Sequence, residues 1–456
     1  METKSPHTKP APEDFGNISP VIPTQGESFD SLIEQIFTQH LSSGLESGSP
    51  YNFAYVPGGG ILHSAIADLI STAVNRYVSV WSSCPGFAQI ETTVLKWLSA
   101  MMNYPDSSKG ILTSGSSLAS FSALLCAREK YFGSKNMDLQ QGTAYASDVS
   151  HYSISKNFRM AGFNPDNFRM IRSDARYKIR TDALQEKIIE DKRAGKKPFL
   201  IIATAGATKT GTVDDIEVLG QIAREENLWL HIDAAYGGFF ILTDEGKRLL
   251  KGISQADSIS LDPHKSLFIP YGSGALLVKE GRLLFDAHYD GGDRYSSLTN
   301  DSEFIDYCEH SPELSREMRS LRIWLPLKLL GIYPFQEQLQ DKLKCIRYLT
   351  KEIRKVDGIE IVSEPCLSIM TFRYYDKDLS EDELGAINVR FLNIINGRNK
   401  IHIIGVRLRE KYVLRFCVLS FRSSMKHVKI AADEVRESFK ELKENYLSAK
   451  ISAGRP

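Results

Sequence analysis
The chain has 456 residues, of which 42% are hydrophobic and 25% charged, the balance of a soluble globular protein of two or three domains. Its 56 basic and 56 acidic residues cancel, which argues against a general nucleic-acid or anionic-membrane surface. No apolar run is long enough for a transmembrane helix, and the start, Met-Glu-Thr-Lys-Ser-Pro, lacks a signal-peptide core.

Residues 1–27 are rich in Pro, Ser, Thr and Gly, a composition that leaves the first residues mobile. A helix is expected over 28–41, with Phe29, Leu32, Ile33, Ile36 and Phe37 on one face, ended by Gly44 and Gly48. The aromatic stretch 51–57 runs into Gly58, Gly59 and Gly60, whose bare backbone lets a ligand approach, although a plain loop has the same signature. Helices are expected over 61–76 and 89–102, separated by a loop that contains Pro85-Gly86. The turn Gly110-Ile-Leu-Thr-Ser-Gly-Ser-Ser117 opens a helix over 118–131. It reads equally as an anion cradle and as an ordinary serine cap.

From there strands and helices alternate. Strands are expected over 143–147, 168–171, 199–204, 228–232, 259–261 and 275–278, with helices over 181–193 and 213–226. Such alternation predicts an α/β fold with a mainly parallel sheet, whose ligands bind beyond the carboxyl ends of the strands. His151, Thr204, Asp233 and Lys265 each fall near such an end. Residues 281–320 read as polar loop, with a helix from about 314 past Trp324. Strands over 359–362, 367–374, 401–405 and 412–419, with helices over 381–395 and from 425, make a small α+β domain. The expected division is an arm and helix over 1–50, a large domain over 51–335 and a small one over 336–456. The six cysteines, Cys84, Cys126, Cys308, Cys345, Cys366 and Cys417, form no CxxC pair. No metal site is expected, and reduced thiols fit a cytoplasmic protein.

The stretch Asp262-Pro263-His264-Lys265 follows an apolar strand, and proline cannot continue a central strand. Lys265 is therefore set at a strand end, where it is either a turn lysine or an amine able to form a Schiff base. Pyridoxal phosphate needs such a lysine, an acid facing its ring nitrogen and a phosphate cradle. Asp233 suits the ring nitrogen, His151 the ring face, and Ser116 and Ser117 the phosphate. Singly, Asp233 reads as well as a cap or ion-pair member, and His151 as a core histidine. Their joint placement favours the cofactor.

Several segments carry a wider resemblance. They are Phe53-Ala-Tyr-Val-Pro57, the run 110–128, Tyr145-Ala-Ser-Asp-Val-Ser-His151, Ala203-Thr204, His231-Ile-Asp-Ala-Ala-Tyr236, the run 257–265, Arg319-Ser-Leu-Arg-Ile-Trp324 and Leu414-Arg-Phe416. In this order the chain, over roughly 18–440, resembles the group II pyridoxal-phosphate-dependent decarboxylases, especially the aromatic L-amino-acid branch. The resemblance implies an aspartate-aminotransferase-type fold (type I) and a homodimer with sites at the interface, the segment before residue 100 being partly exchanged. Lys265 would hold the cofactor as an aldimine, Asp233 would face the ring nitrogen, and Ala235 and Thr204 would support the ring. His151 would stack on the ring and orient the leaving carboxylate. Gly115, Ser116, Ser117 and Asp262 would surround the phosphate, with His264 beside the lysine, and Tyr55 would line the substrate pocket. A mobile-loop tyrosine, Tyr295 or alternatively Tyr289, would protonate the product.

The implied reaction is decarboxylation of an L-amino acid, aromatic preferred, to the amine and carbon dioxide. Aldehyde synthesis, another lyase reaction and a degenerate non-catalytic homologue are the alternatives. Several positions depart from the family pattern and bear on the substrate rather than the cofactor: Leu118 in the phosphate turn where an acid is usual, Ser266 where an aromatic often follows the lysine, Cys308 where the animal enzymes have arginine, and Glu46 to Ser49 ahead of the aromatic wall. The extra N-terminal helix of the animal enzymes has no counterpart.

Overall fold
The computed structural model describes residues 6, 21–42, 44–133, 138–289 and 304–447. The chain divides into two units, one of Met1–Pro57, Cys345–Val362 and Phe372–Pro456, the other of Gly58–Lys344 and Ser363–Thr371.

The second unit is built on the apolar runs of the central sequence. Strands β1 (Lys109–Thr113), β2 (Gly142–Ser147), β3 (Phe168–Ile171), β4 (Lys197–Thr204), β5 (Trp229–Asp233), β6 (Ser258–Leu261) and β7 (Gly274–Val278) form one sheet in the order β1-β7-β6-β5-β4-β2-β3. The neighbours from β3 to β6 pair in parallel, and β7 runs antiparallel to both β6 and β1. The expected mainly parallel sheet is therefore present. Near-continuous burial of β2, β4, β6 and β7 is what a sheet covered on both faces requires.

The helices of this unit include α2 (Leu62–Val74), α3 (Pro85–Met101), α4 (Ser116–Phe132), α5 (Ser153–Met160), α6 (Thr181–Arg193), α7 (Ile216–Glu225) and α8 (Leu321–Leu330); α1 (Phe29–Gln35) lies in the other unit. Several readings of the sequence are corrected. Pro85-Gly86 is not a loop but the first turn of α3, where proline's missing N–H costs no hydrogen bond. Val213 is not helical: it bridges to Ala205, and α7 starts three residues later. Residues 314–320 are not helical either, although their charges recur at helical spacing. Arg316 instead reaches Glu91 on α3 and the Leu112 carbonyl, each at 2.8 Å, while Arg319 forks onto Glu313 at 2.7 and 2.8 Å. Those buried ion pairs hold the backbone out of a helix.

A four-stranded sheet consists of β8 (Ile359–Cys366), β9 (Ile369–Tyr374), β10 (Ile404–Leu408) and β11 (Lys411–Cys417), in the order β10-β11-β9-β8, with β10 and β11 wholly in the first unit. The helix Glu381–Gly397 starts at a reciprocal cap between Ser380 and Glu383, and Met425–Leu442 follows the last strand. Phe372, Phe391, Phe416 and Phe439 meet ring to ring in its core, at centroid spacings of 5.5 to 6.2 Å. Among the described residues no helix is long and apolar enough to cross a membrane.

Candidate active site
Strand β6 ends at Leu261, and Pro263–Ser266 forms a single helical turn with Asp262 as its cap. The turn directs Lys265 Nζ onto Asp262 Oδ2 at 2.8 Å. Burial would lower the lysine's pKa, but the Asp262 carboxylate beside it, helped by Asp233, holds the ammonium above its usual range. His264 donates from Nδ1 to the Ser273 carbonyl at 2.8 Å, which anchors the turn to the strand that follows. Ser266 is buried and donates to the Tyr236 carbonyl at 2.6 Å. This hydroxyl ties the lysine turn to the chain just after β5.

The other oxygen of Asp262 accepts the Ser116 amide at 2.7 Å, so the lysine turn also fixes the first turn of α4. Ser116 Oγ is buried and has no hydrogen-bond partner. Gly274 on β7 is needed there, because a Cβ would lie 2.5 Å from the Gly115 backbone. Gly58 meets the same turn from another side: a Cβ would lie 2.4 Å from the His264 carbonyl oxygen and 2.5 Å from that of Lys265. The close approach expected of the glycine triplet toward a ligand is, at Gly58, an approach to the lysine's own backbone.

Asp233 closes β5, and its Oδ1 accepts the Ala235 amide at 3.2 Å. Shielding from water pushes its carboxyl up, against the pull of the Lys265 ammonium. Thr204 is its register partner on β4. The Thr204 amide donates to Asp214 Oδ2 at 2.8 Å, and the Ile179 amide to Oδ1 at 2.8 Å. Burial pushes Asp214 up to about 6. His151 follows β2, and its Nδ1 accepts the Ser153 amide at 3.3 Å with the Ser153 hydroxyl 2.7 Å away. Nδ1 is thus an acceptor, and the neutral ring carries its proton on Nε2. Burial lowers the pKa of this ring and favours that neutral form.

Gly115, Ser116, Ser117, His151, Thr204, Asp233, Ala235, Asp262, His264 and Lys265, read from the sequence as cofactor ligands, all line one cavity of about 200 Å³. Ser120, Ser153, Gly206, Thr208 and Tyr236 line it too and were not foreseen. Ser120 follows Ser116 by one helical turn, which is the signal that would have found it. Tyr55 belongs to the other unit, where it is exposed, has a left-handed φ of 53° and offers its carbonyl to Arg415 at 2.8 Å. Tyr295 lies outside the described residues, and Tyr289 stacks on Phe285 at 4.7 Å. Cys308 is partly buried and its thiol is pushed up to about 11, so it stays protonated. Among the described residues no cluster of His, Cys, Asp and Glu could hold a metal ion.

Residues 12–375 match the pyridoxal-dependent decarboxylase conserved domain. The chain belongs to this family. It is 32% identical to an aromatic-L-amino-acid decarboxylase of Bacillus atrophaeus, over 92% of this chain and 88% of that protein. To the aromatic-L-amino-acid decarboxylase of Bos taurus it is 30% identical, over 93% and 90%. The crystal structure of Oryza sativa TDC with PLP and tryptamine superposes with a TM-score of 0.90 at 25% identity, covering 96% of this chain and 94% of that one. The pyridoxal-dependent decarboxylase described here uses pyridoxal phosphate to decarboxylate an amino acid. Its cavity fits that cofactor: it offers an amine, a shielded carboxyl at a strand end, and a buried hydroxyl without a partner at the start of a helix.

Proposed function
We propose that this enzyme decarboxylates an aromatic L-amino acid to its amine, with Lys265 as the point of covalent attachment. The observation that carries the site assignment is the convergence of Lys265, Asp233, His151 and the Gly115–Ser117 turn on one cavity. The aromatic preference rests on the names of the relatives. When bound, pyridoxal phosphate supplies a ring that accepts the negative charge left at the α-carbon as the carboxylate departs. Asp233 holds a proton on the ring nitrogen, because a carboxylate beside a pyridinium favours the charged pair. Ser116 and Ser117 donate to the phosphate at the positive end of α4, and Asp262 keeps that turn in place. Thr204 and Ala235, which line the cavity, would wall the ring. His151 presents its Nε2–H to the cavity, where it orients the leaving carboxylate. Protonation of the product falls to a loop tyrosine, Tyr295 or Tyr289.

Purified enzyme loaded with cofactor, offered a panel of L-amino acids and scored for carbon dioxide, amine, aldehyde and ammonia, tests the reaction. Aromatic amino acids should give amine and carbon dioxide in equal amounts. Aldehyde with ammonia, or turnover confined to acidic amino acids, would overturn the reading. Borohydride reduction should leave the label on Lys265; a label on another lysine refutes the assignment.

The assembly is proposed as a homodimer. Phe29 and Phe37 in the N-terminal helical segment, and Leu62, Leu69, Ile70 and Val74 on or beside α2, are exposed large apolar side chains. Apolar surface in that quantity marks an interface. Sedimentation as a monomer at micromolar concentration would refute it. A cytoplasmic location fits the six free cysteines; labelling of the full-length chain in its own cells decides the compartment.

A further inference from the structure
One face of β5 and β6 carries polar groups in an otherwise apolar layer. Trp229, His231 and Asp233 alternate along β5, Ser258 and Ser260 along β6, and the two strands pair His231 with Ser258 and Asp233 with Ser260. The groups form a directed chain. The Trp229 indole, which can only donate, gives its N–H to Ser258 Oγ at 2.8 Å. The Ser258 hydroxyl is then free to donate to His231 Nδ1 at 2.9 Å. The imidazole proton is left on Nε2, which faces Ser120 Oγ of α4 at 3.2 Å and Ser260 Oγ at 3.4 Å. Ser120 Oγ donates onward to Ser260 Oγ at 3.2 Å.

His231 is buried, and desolvation drives its pKa down to about 3, so the ring stays neutral at physiological pH. The layer has little slack: the void beneath, lined by Ser120, Asn157 and His231, measures about 10 Å³, room for one water at most. Ser120 lines both this void and the cofactor cavity. The contact between His231 and Ser120 thus ties the helix that begins with the hydroxyl cradle to the strand that ends in Asp233.

We propose that His231 is a positioning residue for the decarboxylase: as an Nε2–H donor it pins Ser120 and so sets the separation between the cradle at Gly115–Ser117 and the carboxyl of Asp233, the two ends between which the cofactor is held. This rests on the cofactor placement given above. No charge moves through His231, and its role is geometric.

The test measures cofactor dissociation constants and the absorbance maximum of bound cofactor for His231→Leu, Ser120→Ala, the double variant and His231→Gln, whose side-chain amide keeps an N–H directed at Ser120. Each single loss should raise the dissociation constant roughly tenfold, the scale of one buried hydrogen bond. The double variant should be no worse than either single one, because both remove the same contact. His231→Gln should restore both affinity and absorbance maximum, which a general loss of stability would not allow. Wild-type affinity in folded His231→Leu, or losses that multiply in the double variant, would overturn the proposal. Should His231→Leu not fold, Ser120→Ala decides alone, and an unchanged constant there overturns it. Ser116→Ala and Asp233→Asn serve as controls. If they too leave affinity unchanged, the cofactor placement itself fails; if they weaken binding while the His231 and Ser120 variants do not, only the positioning role fails.

Discussion

Lys265 and Asp262 lie 2.8 Å apart, Nζ to Oδ2, and the second oxygen of that carboxylate holds the Ser116 amide. One side chain therefore governs both the charge of Lys265 and the position of the first turn of α4. The two duties separate in Asp262→Asn. Asparagine still offers an oxygen to the Ser116 amide but removes the negative charge beside Lys265. The ammonium, held high chiefly by that charge against burial, then loses its proton at lower pH. Uptake of cofactor by the apoenzyme, followed by absorbance, should shift its pH profile downward by about one to two units. An unchanged profile would show that Asp262 does not set the state of Lys265.

Asp233→Asn should separate substrate binding from chemistry. The Ala235 amide keeps an acceptor, so the strand end retains its shape. The amide cannot hold a proton on the ring nitrogen. We expect kcat to fall by roughly 10²–10⁴ while KM changes little. A fall in kcat of less than about fivefold would remove Asp233 from the chemistry.

His231 and Asp214 should oppose each other in the acid stability of the protein. His231 titrates near 3 in the folded chain against an ordinary 6.5, so as pH drops below 6.5 the unfolded chain takes a proton that the folded one refuses, and stability is lost. Asp214 titrates near 6 against an ordinary 3.8, so between those values the folded chain binds the extra proton and gains stability as pH falls. Between about pH 4 and 6 the two slopes, each about 1.4 kcal/mol per pH unit, cancel. Relative to the wild type, Asp214→Asn should therefore lose stability faster on acidification through this window, and His231→Gln should gain. Melting temperatures from pH 4 to 7 provide the check; parallel curves for all three proteins would refute both assignments.

The lysine turn was legible because a proline must end the strand before it, and Asp233 because an apolar run stops there. The residues that line the cavity converge in space for the same reason: parallel strands deliver their carboxyl ends to one edge. What escaped reading depended on partners far along the chain. Strand β1 is five residues long and acquires its identity from β7, which pairs with it across residues 274–278. The segment 314–320 has helical charge spacing, but Glu91, over 200 positions away, competes successfully for Arg316. The start of α3 was missed for a local reason, since Pro-Gly serves a turn and a first helical turn alike. Ser120 and His231 sit inside matching segments without a distinguishing signal of their own, and only their meeting across the layer sets them apart.

Gly58 bears no functional group, yet it constrains what can be selected around the active site. Its α-hydrogen faces two carbonyl oxygens of the lysine turn at a distance no methyl group can occupy. In a library randomised at this position, nearly every variant should displace the reactive amine before any substrate is met, and glycine alone should survive selection for turnover. Efforts to alter the substrate range of this enzyme would therefore do better to vary its neighbours and leave residue 58 as it is, because the loss there would be mistaken for a change of specificity.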